Sequence, residues 1–349
     1  MIRIIHVVGA RPQFIKLSPL YNRMKKNNFS QEILHTGQHY DRQMSDVFFE
    51  SLNIPKPDYN LSINNLSHGA MTGRMIEQIE NIFTSNTYDY VILYGDTNST
   101  LAGAISAKKL GLRIIHIESG VRNNDMSMPE EINRIITDRV SNLLFCSTNL
   151  NYENLKQEGY SSFDCNFYNV GDLMQELFYK NFNIKESVKN QILFTCHRAE
   201  NIKQNNLTQI FLALNSLSKN FEIIFPAHPA THNAIKLFNI KCDFEIKNPM
   251  TYSEIINEMI KSKFVITDSG GLIKESYWCS KPSLSIMSKP VWEELISNKV
   301  SLNSLPVKDE ILNNFKSLID IKHFPENIFG DGNASKKIVH YITQDFQKI

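Results

Sequence analysis

A glycine-rich turn between a strand-like run and a helical pattern is the strongest chemical signal in this chain. Ser269-Gly270-Gly271 follows the apolar run 264–268 and precedes the helical pattern 272–276. Glycines let the backbone approach an anion, and the first N–H groups of the helix point at it with the positive end of the dipole. Glu275, one turn into that helix, is placed to accept hydrogen bonds from a ribose diol. The pattern predicts a nucleotide phosphate site, although a plain strand-to-helix connection would use the same glycines.

Charged side chains follow several other strand-like runs. Arg11 and Lys16 flank a predicted helix start, an arrangement suited to an anionic group. A single acidic residue at a strand end is most often a cap or a turn residue. Here three carboxylates and a histidine are expected at one cleft, which indicates acid–base chemistry. These residues are Asp96, Glu118, Glu130 and His197.

Short apolar runs alternate with amphipathic stretches of helical length, which predicts parallel sheets covered on both faces. The pattern pauses near Gly171-Asp172 and then restarts, so we expect two doubly wound α/β units in series. Functional groups gather at the carboxyl ends of such strands, and two facing units place those ends across a shared cleft. The predicted strands are 2–8, 32–36, 89–94, 113–117, 143–146 and 167–170 in the first unit, and 191–195, 221–225, 244–247, 264–267 and 283–286 in the second.

The chain is long enough for two domains, with 349 residues of which 42% are hydrophobic. We expect a first domain over 1–171 that carries the acid/base residues and a second over 172–333 that binds the nucleotide. A last helix, within 334–349, follows the break at Gly330-Asp331-Gly332 and is expected to pack back on the first domain.

Composition excludes several classes of partner. The formal net charge is +1 and the lysines are scattered, so we expect no nucleic acid partner. No segment approaches a membrane span, and the apolar run at 2–9 is too short for a signal peptide. The five cysteines are widely spaced and odd in number, which is typical of reduced thiols in a cytoplasmic protein.

Polar motifs follow the predicted strands along the whole chain. They are GARPQFIK at 9–16, TGQH at 36–39, GDTNST at 95–100, HIESGVR at 116–122, PEEINR at 129–134, HRAEN at 197–201 and DSGG at 268–271. These motifs occur in the order found in the UDP-N-acetylglucosamine 2-epimerase family, which the chain resembles over nearly its whole length. The resemblance implies the GT-B fold, in which two Rossmann-like domains face a central cleft, and a homodimer. The opening 9–16 and the compact loop 123–128 are similar to the branch that includes UDP-2,3-diacetamido-2,3-dideoxyglucuronate 2-epimerases.

The resemblance implies inversion of carbon 2 in a UDP-linked 2-acetamido sugar, for the synthesis of surface polysaccharide precursors. The hydrogen on carbon 2 is weakly acidic, and its removal becomes feasible when UDP leaves carbon 1. The 2-acetamidoglycal so formed takes a proton on the opposite face as UDP adds back, so the site needs groups on both faces. By resemblance, Asp96 and Glu130 are the acid/base groups and Glu118 orients them or relays protons. His197 assists departure of the diphosphate, whose charge Arg11 stabilises.

Further residues of these segments are expected to bind the substrate. His39 is equally suited to orient its own loop, and Glu131, beside Glu130, can simply complement the helix dipole. Arg11, His197 and helix amino termini already meet the phosphate charge, and no carboxylate cluster has magnesium spacing, so we expect no metal and no cofactor. The expected binding residues are Arg11, Lys16, Gln38, His39, Arg122, Arg134, His228, Ser269, Gly270, Gly271 and Glu275.

Some positions depart from the family's pattern. Met287 stands where many members have an arginine, and Pro290-Val291 stand where they have Thr-Glu. Ala230 and His232 replace two arginines of the branch. The lost basic groups leave the exact substrate open. They also leave open a hydrolysing epimerase, in which water intercepts the intermediate and the free sugar is released.

Two further classes of function share these features. A GT-B glycosyltransferase would use the same phosphate site, but it needs an acceptor and has no use for carboxylates on both faces of carbon 2. A degenerate nucleotide-sugar binder would explain the lost basic groups, but the intact acid/base residues argue against it. Incubation with a UDP-sugar alone distinguishes these classes, because an epimerase acts without an acceptor.

Overall fold

The computed structural model describes residues 1–38, 46–290 and 292–348. They form two compact units, the first containing Met1–Leu177 with Asn327–Ile349 and the second Phe178–Glu326. Among the described residues, no helix has both the length and the apolar character needed to cross a bilayer.

The first unit is built on a parallel sheet of seven strands. The strands are β1 Arg3–Val8, β2 Ser30–His35, β3 Tyr59–Asn60, β4 Tyr90–Tyr94, β5 Arg113–Ser119, β6 Leu143–Cys146 and β7 Asn166–Asn169. They pair in the order β3-β2-β1-β4-β5-β6-β7. The helices are α1 Arg11–Lys25, α2 Asp46–Ser51, α3 His68–Ser85, α4 Asn98–Lys109, α5 Pro129–Val140 and α6 Asn149–Gln157, with a short 3₁₀ turn at Tyr160–Ser162.

Both faces of this sheet are covered, which explains why its strands read as continuous apolar runs. Successive side chains of a strand point to opposite faces. In β1, Ile4 and Val8 join the core on one face, while Ile5 and Val7 join the core on the other. His6 lies between them and is fully buried. The sheet thus holds the carboxyl ends of its strands on a rigid support.

The second unit repeats this plan with six parallel strands. Helix α7, Leu173–Asn181, runs from the first unit into the second. The strands are β8 Gln191–Thr195, β9 Glu222–Pro226, β10 Ile246–Lys247, β11 Phe264–Thr267, β12 Ser283–Ile286 and β13 Ser301–Ser304, in the order β10-β9-β8-β11-β12-β13. The helices are α8 Gln204–Leu217, α9 Pro229–Leu237, α10 Tyr252–Lys261, α11 Gly270–Trp278, α12 Glu293–Ser297, α13 Lys308–Leu318 and the last, α14 Ala334–Phe346, which belongs to the first unit.

The predicted fold class is confirmed, with two parallel α/β sheets in series. Strands β3 and β13 were missed by the sequence patterns. Both lie at a sheet edge, where β3 has only two residues and β13 reads Ser-Leu-Asn-Ser, so neither has a buried apolar run.

The units divide at 177/178 and 326/327, not at the expected 171/172 and 333/334. Two segments of the first unit, one shortly before the first boundary and one shortly after the second, contact each other. The Asp172 N–H donates a hydrogen bond to the Phe329 carbonyl at 2.8 Å. Gly171 and Gly330 both have φ of +94°, and a Cβ on Gly330 would lie 2.6 Å from the Gly171 Cα. This close approach within the first unit requires glycine.

Candidate active site

Gln13 connects the loops that follow β1 and β4. Its side-chain oxygen accepts hydrogen bonds from the N–H groups of Gly9 at 2.7 Å and Ala10 at 2.9 Å. Its Nε2 atom donates to the Tyr94 carbonyl at 2.7 Å and to Thr100 Oγ1 at 3.0 Å. Because Gln13 uses the N–H groups of the two residues that precede α1, the turn between β1 and α1 offers an anion fewer donors than its sequence suggests. No sequence pattern indicated a role for Gln13, since Tyr94 and Thr100 are 81 and 87 positions away.

Asp96 lies in the turn after β4, with its side chain 35% exposed. Arg134 forms an ion pair with its carboxylate, and Asn133 Nδ2 donates to its backbone carbonyl at 2.9 Å. Burial would lower the pKa of Arg134, but the charges of Asp96 and Glu131 raise it above its usual value. Helix α5 therefore fixes this turn through two side chains, and one of them carries a permanent positive charge.

Glu118, near the end of β5, forms an ion pair with Lys16 of α1. Its φ of +70° lies in the left-handed region, and the pairing of β5 with β6 is irregular at this point. Non-glycine residues rarely adopt that conformation, and such strain persists where the surroundings impose it, often at functional sites. Gly95 faces the pair, because a Cβ there would lie 3.3 Å from Glu118 Oε2. The residue next to Asp96 thus approaches the Glu118 carboxylate.

The two glutamates at the start of α5 have different surroundings. Glu130 is exposed in the first turn of the helix. Glu131 is 1% exposed and accepts hydrogen bonds from the N–H groups of Asn123 at 3.2 Å and Asn124 at 2.9 Å. It also pairs with Arg134 Nη1 at 2.6 Å. The interpretation of Glu131 as a helix-dipole residue is therefore incomplete, because its carboxylate joins a loop to the arginine.

Arg122, a predicted substrate contact, belongs to a buried ionic network. Its guanidinium donates to Glu158 Oε1 at 2.7 Å and to Asp138 Oδ2 at 2.8 Å. His116 lies between Asp138 Oδ1, 2.6 Å from its Nδ1, and the Gly95 carbonyl, 2.7 Å from its Nε2. Burial would raise the pKa of Asp138, but His116 and Arg122 bring it below its usual value. Both nitrogens of His116 thus face groups that accept hydrogen bonds, a carboxylate and a backbone carbonyl.

The other predicted contacts of the first unit differ in their placement. Gln38 Oε1 accepts hydrogen bonds from the Ser99 N–H at 3.0 Å and its hydroxyl at 2.7 Å, so it holds the start of α4. Arg11 is exposed at the first position of α1. His39 lies outside the described residues. Substrate contacts by Arg11, Gln38 and Arg122 stay predictions.

In the second unit, His197 follows β8 and pairs with Asp268, which follows β11. The His197 Nδ1 atom lies 2.9 Å from Asp268 Oδ1, and the Arg198 N–H donates to Asp268 Oδ2 at 2.8 Å. The hydrogen bond with Asp268 raises the pKa of His197, although burial opposes it. Burial would raise the pKa of Asp268, but the bonds from His197 and Arg198 lower it. The pair favours an imidazolium, the form that meets a diphosphate charge.

The glycine turn forms the start of α11. Ser269 is its N-cap, and the Ser269 hydroxyl accepts a hydrogen bond from the Leu272 N–H. Gly271 is exposed, and the nearest atom to a Cβ there would be Ser269 Oγ at 3.9 Å. The first N–H groups of a helix have no acceptor within the helix. Gly270 and Gly271 therefore supply N–H groups at the helix start, and the space beside Gly271 is open, as an anion site requires.

Glu275, the predicted ribose acceptor, is 4% exposed and accepts a hydrogen bond from the Tyr252 hydroxyl at 2.7 Å. Burial and the negative charge of Glu275 raise the pKa of Tyr252, which keeps the phenol protonated as a donor. Tyr252 begins α10 and lies 23 positions before Glu275. No sequence motif linked the two residues.

His228 is a predicted binding residue that precedes two departures from the family pattern, Ala230 and His232, and Met287 is a third departure. The His228 ring lies 6.2 Å from that of His197, measured between centroids, and its Nδ1 accepts from the Ala230 N–H at 3.2 Å. His228 thus caps α9 beside His197. Met287 is buried in the core after β12, at 1% exposure. Val291 lies outside the described residues.

The structure thus gathers Lys16, Asp96, Glu118 and Arg134 at the carboxyl ends of β4 and β5 in the first unit. In the second it gathers His197, His228 and Asp268. Among the described residues, no three His, Cys, Asp or Glu side chains are grouped so that they could hold a metal ion.

Two Rossmann-like parallel sheets, each with polar groups beyond the carboxyl ends of its strands, define a GT-B fold. A solved structure of the Methanocaldococcus jannaschii UDP-GlcNAc 2-epimerase, in complex with UDP-GlcNAc and UDP, has the same fold. It matches with a TM-score of 0.83 and 31% identity, over 98% of this chain and 100% of that chain.

Sequence comparison agrees with the fold. Residues 22–343 match the family model described as UDP-N-acetylglucosamine 2-epimerase. The UDP-2,3-diacetamido-2,3-dideoxy-D-glucuronate 2-epimerase of Pseudomonas aeruginosa is 40% identical, over 98% of this chain and 99% of its own length. A UDP-N-acetylglucosamine 2-epimerase homolog of Methanococcus maripaludis is also 40% identical, over 97% of this chain and 99% of its own length. The chain therefore belongs to the UDP-N-acetylglucosamine 2-epimerase family, a family of isomerases, and the resemblance drawn from its motifs is confirmed.

Proposed function

We propose that this protein inverts carbon 2 of a UDP-linked 2-acetamido sugar by elimination and re-addition of UDP. One observation carries the proposal. Asp96 lies just after β4 and Glu118 near the end of the adjacent β5, and each carboxylate is paired with a largely buried cation, Arg134 or Lys16. Such pairs hold carboxylates in fixed positions beside a reacting carbon.

In the first step, one carboxylate of the set Asp96 and Glu130 removes the proton from carbon 2. The electron pair of that C–H bond forms the double bond between carbons 1 and 2, and the bond from carbon 1 to the diphosphate oxygen breaks. The His197 imidazolium and Arg11 stabilise the charge of the departing UDP. The products of this step are a 2-acetamidoglycal and UDP.

In the second step, the other carboxylic acid delivers a proton to the opposite face of carbon 2. The diphosphate oxygen of UDP bonds to carbon 1, so the atoms and charge of the substrate balance and no oxidant is consumed, while the two carboxyl groups have exchanged their protonation states. Glu118, held by Lys16, orients the acid/base groups or relays protons between them.

The nucleotide is held by the second unit in this proposal. Gly270 and Gly271 donate backbone N–H groups to the diphosphate, and Glu275 accepts from the ribose hydroxyls. The Methanocaldococcus jannaschii structure contains UDP-GlcNAc and UDP, which supports a UDP-sugar as the ligand class.

The sugar is UDP-N-acetylglucosamine or a modified analogue, and the Pseudomonas aeruginosa relative favours the analogue. The hydrolysing alternative rests on Met287, since a buried methionine supplies no charge to hold UDP against water. A hydrolysing enzyme incubated with the UDP-sugar would release free sugar and UDP.

We further propose a cytoplasmic homodimer that supplies precursors of surface polysaccharides. Met128, the N-cap of α5, and Ile132 and Ile136 within that helix are spaced by four residues, with exposures of 38%, 38% and 37%. An exposed stripe of this kind supports self-association. All five cysteines are free thiols, which fits a reducing compartment.

The test is incubation with a panel of UDP-2-acetamido sugars in deuterated water, without acceptor, metal or nicotinamide. We expect deuterium at carbon 2 and an epimer pair. A glycosyltransferase or a binding protein would leave carbon 2 protonated.

A further inference from the structure

Glu131 is a buried carboxylate that the proposed reaction does not use. Its side chain is surrounded by protein at 1% exposure, so it cannot itself meet a substrate. A buried carboxylate is costly unless it is paired and hydrogen-bonded, and Glu131 is both.

One oxygen of Glu131 faces a loop. Oε1 accepts hydrogen bonds from the backbone N–H groups of Asn124 at 2.9 Å and Asn123 at 3.2 Å. Asn124 has φ of +57°, so this loop adopts an uncommon conformation at the point where Glu131 holds it. The loop 123–128 is the segment whose compact length sets the branch apart.

The other oxygen, which also accepts from the Asn123 N–H at 3.3 Å, contacts the arginine that holds Asp96. Oε2 lies 2.6 Å from Arg134 Nη1, and the Nη2 atom of the same guanidinium contacts the Asp96 carboxylate. A guanidinium is planar and presents its N–H groups in a fixed fork. Because Glu131 holds Nη1, the orientation of the planar group is fixed, and its Nη2 atom points toward Asp96.

We propose that Glu131 is a positioning residue for the acid/base carboxylate Asp96, acting through Arg134, and that it ties the loop 123–128 to the same geometry. This inference rests on the proposed function, because it assigns Asp96 a role in the reaction. Without Glu131, Arg134 keeps its charge but loses the contact that orients it. The expected result is a lower rate at saturating substrate with little change in nucleotide affinity.

Glu131→Gln tests the proposal selectively. The amide oxygen still accepts from the Asn124 N–H, while the amide nitrogen is a donor facing the donors of Arg134. We expect kcat to fall by about tenfold or more and the Kd for UDP to stay within about twofold. The matched control is Glu77→Gln, an exposed glutamate on α3, for which both constants should equal those of the unchanged protein.

A double-mutant comparison separates positioning from general damage. In the Asp96→Asn background, adding Glu131→Gln should change the residual exchange at carbon 2 by less than about twofold, because residues that act as a unit are not additive. If the same tenfold loss recurs in that background, Glu131 does not act through Asp96 and the inference is overturned. A parallel loss of UDP affinity would overturn it as well.

Arg134→Lys provides a second variant in case Glu131→Gln does not fold. Lysine keeps the charge but cannot contact both carboxylates with a rigid fork, so the same loss in kcat and the same non-additivity with Asp96→Asn are expected. Failure of the unchanged protein to exchange carbon 2 would overturn the proposed function. Additive losses in a protein that does exchange would overturn only the role of Glu131.

Discussion

His197 and Asp268 form a hydrogen-bonded ion pair in which the histidine is half exposed and the aspartate is buried, with 2.9 Å between Nδ1 and Oδ1. The pair joins the ends of β8 and β11, 71 positions apart in the chain. It presents a cation at the strand ends where the diphosphate is expected.

Asp268→Asn is expected to lower the pKa of His197, because the hydrogen bond with the carboxylate is the largest cause of its increase. NMR titration of the His197 ring measures this directly. Asp243→Asn, which changes an exposed aspartate of the same unit, is the control and should leave the titration unchanged. An unchanged His197 titration in Asp268→Asn would contradict the assignment.

The same pair defines a pH window for stability. The folded-state pKa of His197 is raised. Its contribution to the free energy of unfolding is therefore complete below the unfolded pKa of 6.5 and is lost as pH rises through the folded-state pKa. The folded-state pKa of Asp268 is lowered, so its contribution is present above the unfolded value of 3.8 and is lost as pH falls through the folded value. Urea unfolding at several pH values should show that the pair stabilises the protein between the folded-state pKa of Asp268 and that of His197. Asp268→Asn should remove this stabilisation.

His6 and His35 are expected to destabilise the first unit in acid. Burial lowers the pKa of each from 6.5 to about 4, although hydrogen bonds oppose the change. The unfolded chain therefore binds more protons between these values, and stability falls as pH drops from 6.5 toward 4. At pH 5 the two together reduce the free energy of unfolding by about 4 kcal/mol.

Urea unfolding at pH 7 and pH 5 measures that loss. His6→Gln keeps a polar side chain beside Tyr94 and Gln31 but gains no proton, so it should lose about half of the pH dependence. Equal pH dependence in the variant and the unchanged protein would count against this account.

Asp96→Asn and Glu130→Gln are each expected to slow turnover by a factor of about a hundred or more, which is typical for loss of a positioned acid or base. Both variants keep the size of the side chain, so UDP affinity should change little. Steady-state kinetics and calorimetry with UDP check the two expectations. A loss of UDP binding in step with the rate would assign these residues to nucleotide binding or folding instead.

Gly271→Val and Glu275→Ala are expected to weaken UDP binding. Space beside Gly271 admits a side chain without a clash, so the valine variant should fold and yet block the approach of a phosphate. Loss of Glu275 removes a charged acceptor worth about 1–3 kcal/mol. Calorimetry with UDP, with a thermal unfolding control, measures both effects. Normal affinity in both variants would reduce Ser269-Gly270-Gly271 to a strand-to-helix connection.

Sequence patterns predicted the fold because buried parallel strands leave a strong signal. The runs 143–146, 191–195, 264–267 and 283–286 coincide with β6, β8, β11 and β12. The edge strands β3 and β13 left none, since an edge strand buries fewer apolar side chains. Motif spacing likewise placed Asp96 and Glu118 at strand ends, because parallel strands end at the same edge.

The partners of the site residues could not be predicted in this way. Arg134 reaches Asp96 across 38 positions, and Lys16 reaches Glu118 across 102. Such contacts depend on how α5 and α1 pack, which local periodicity does not determine. The burial of Glu131 beside an exposed Glu130 is of the same kind, since both read as acidic residues of a first helical turn.

Proton exchange at carbon 2 is the direct test of the proposed epimerisation. The unchanged protein is incubated with UDP-N-acetylglucosamine and its 2,3-diacetamido analogue in deuterated water, and carbon 2 is followed by NMR. We expect loss of the carbon 2 proton signal in at least one sugar and growth of its 2-epimer, with chelator present and with no acceptor. Full retention of that proton in every sugar of the panel, under conditions where UDP binds, would contradict it.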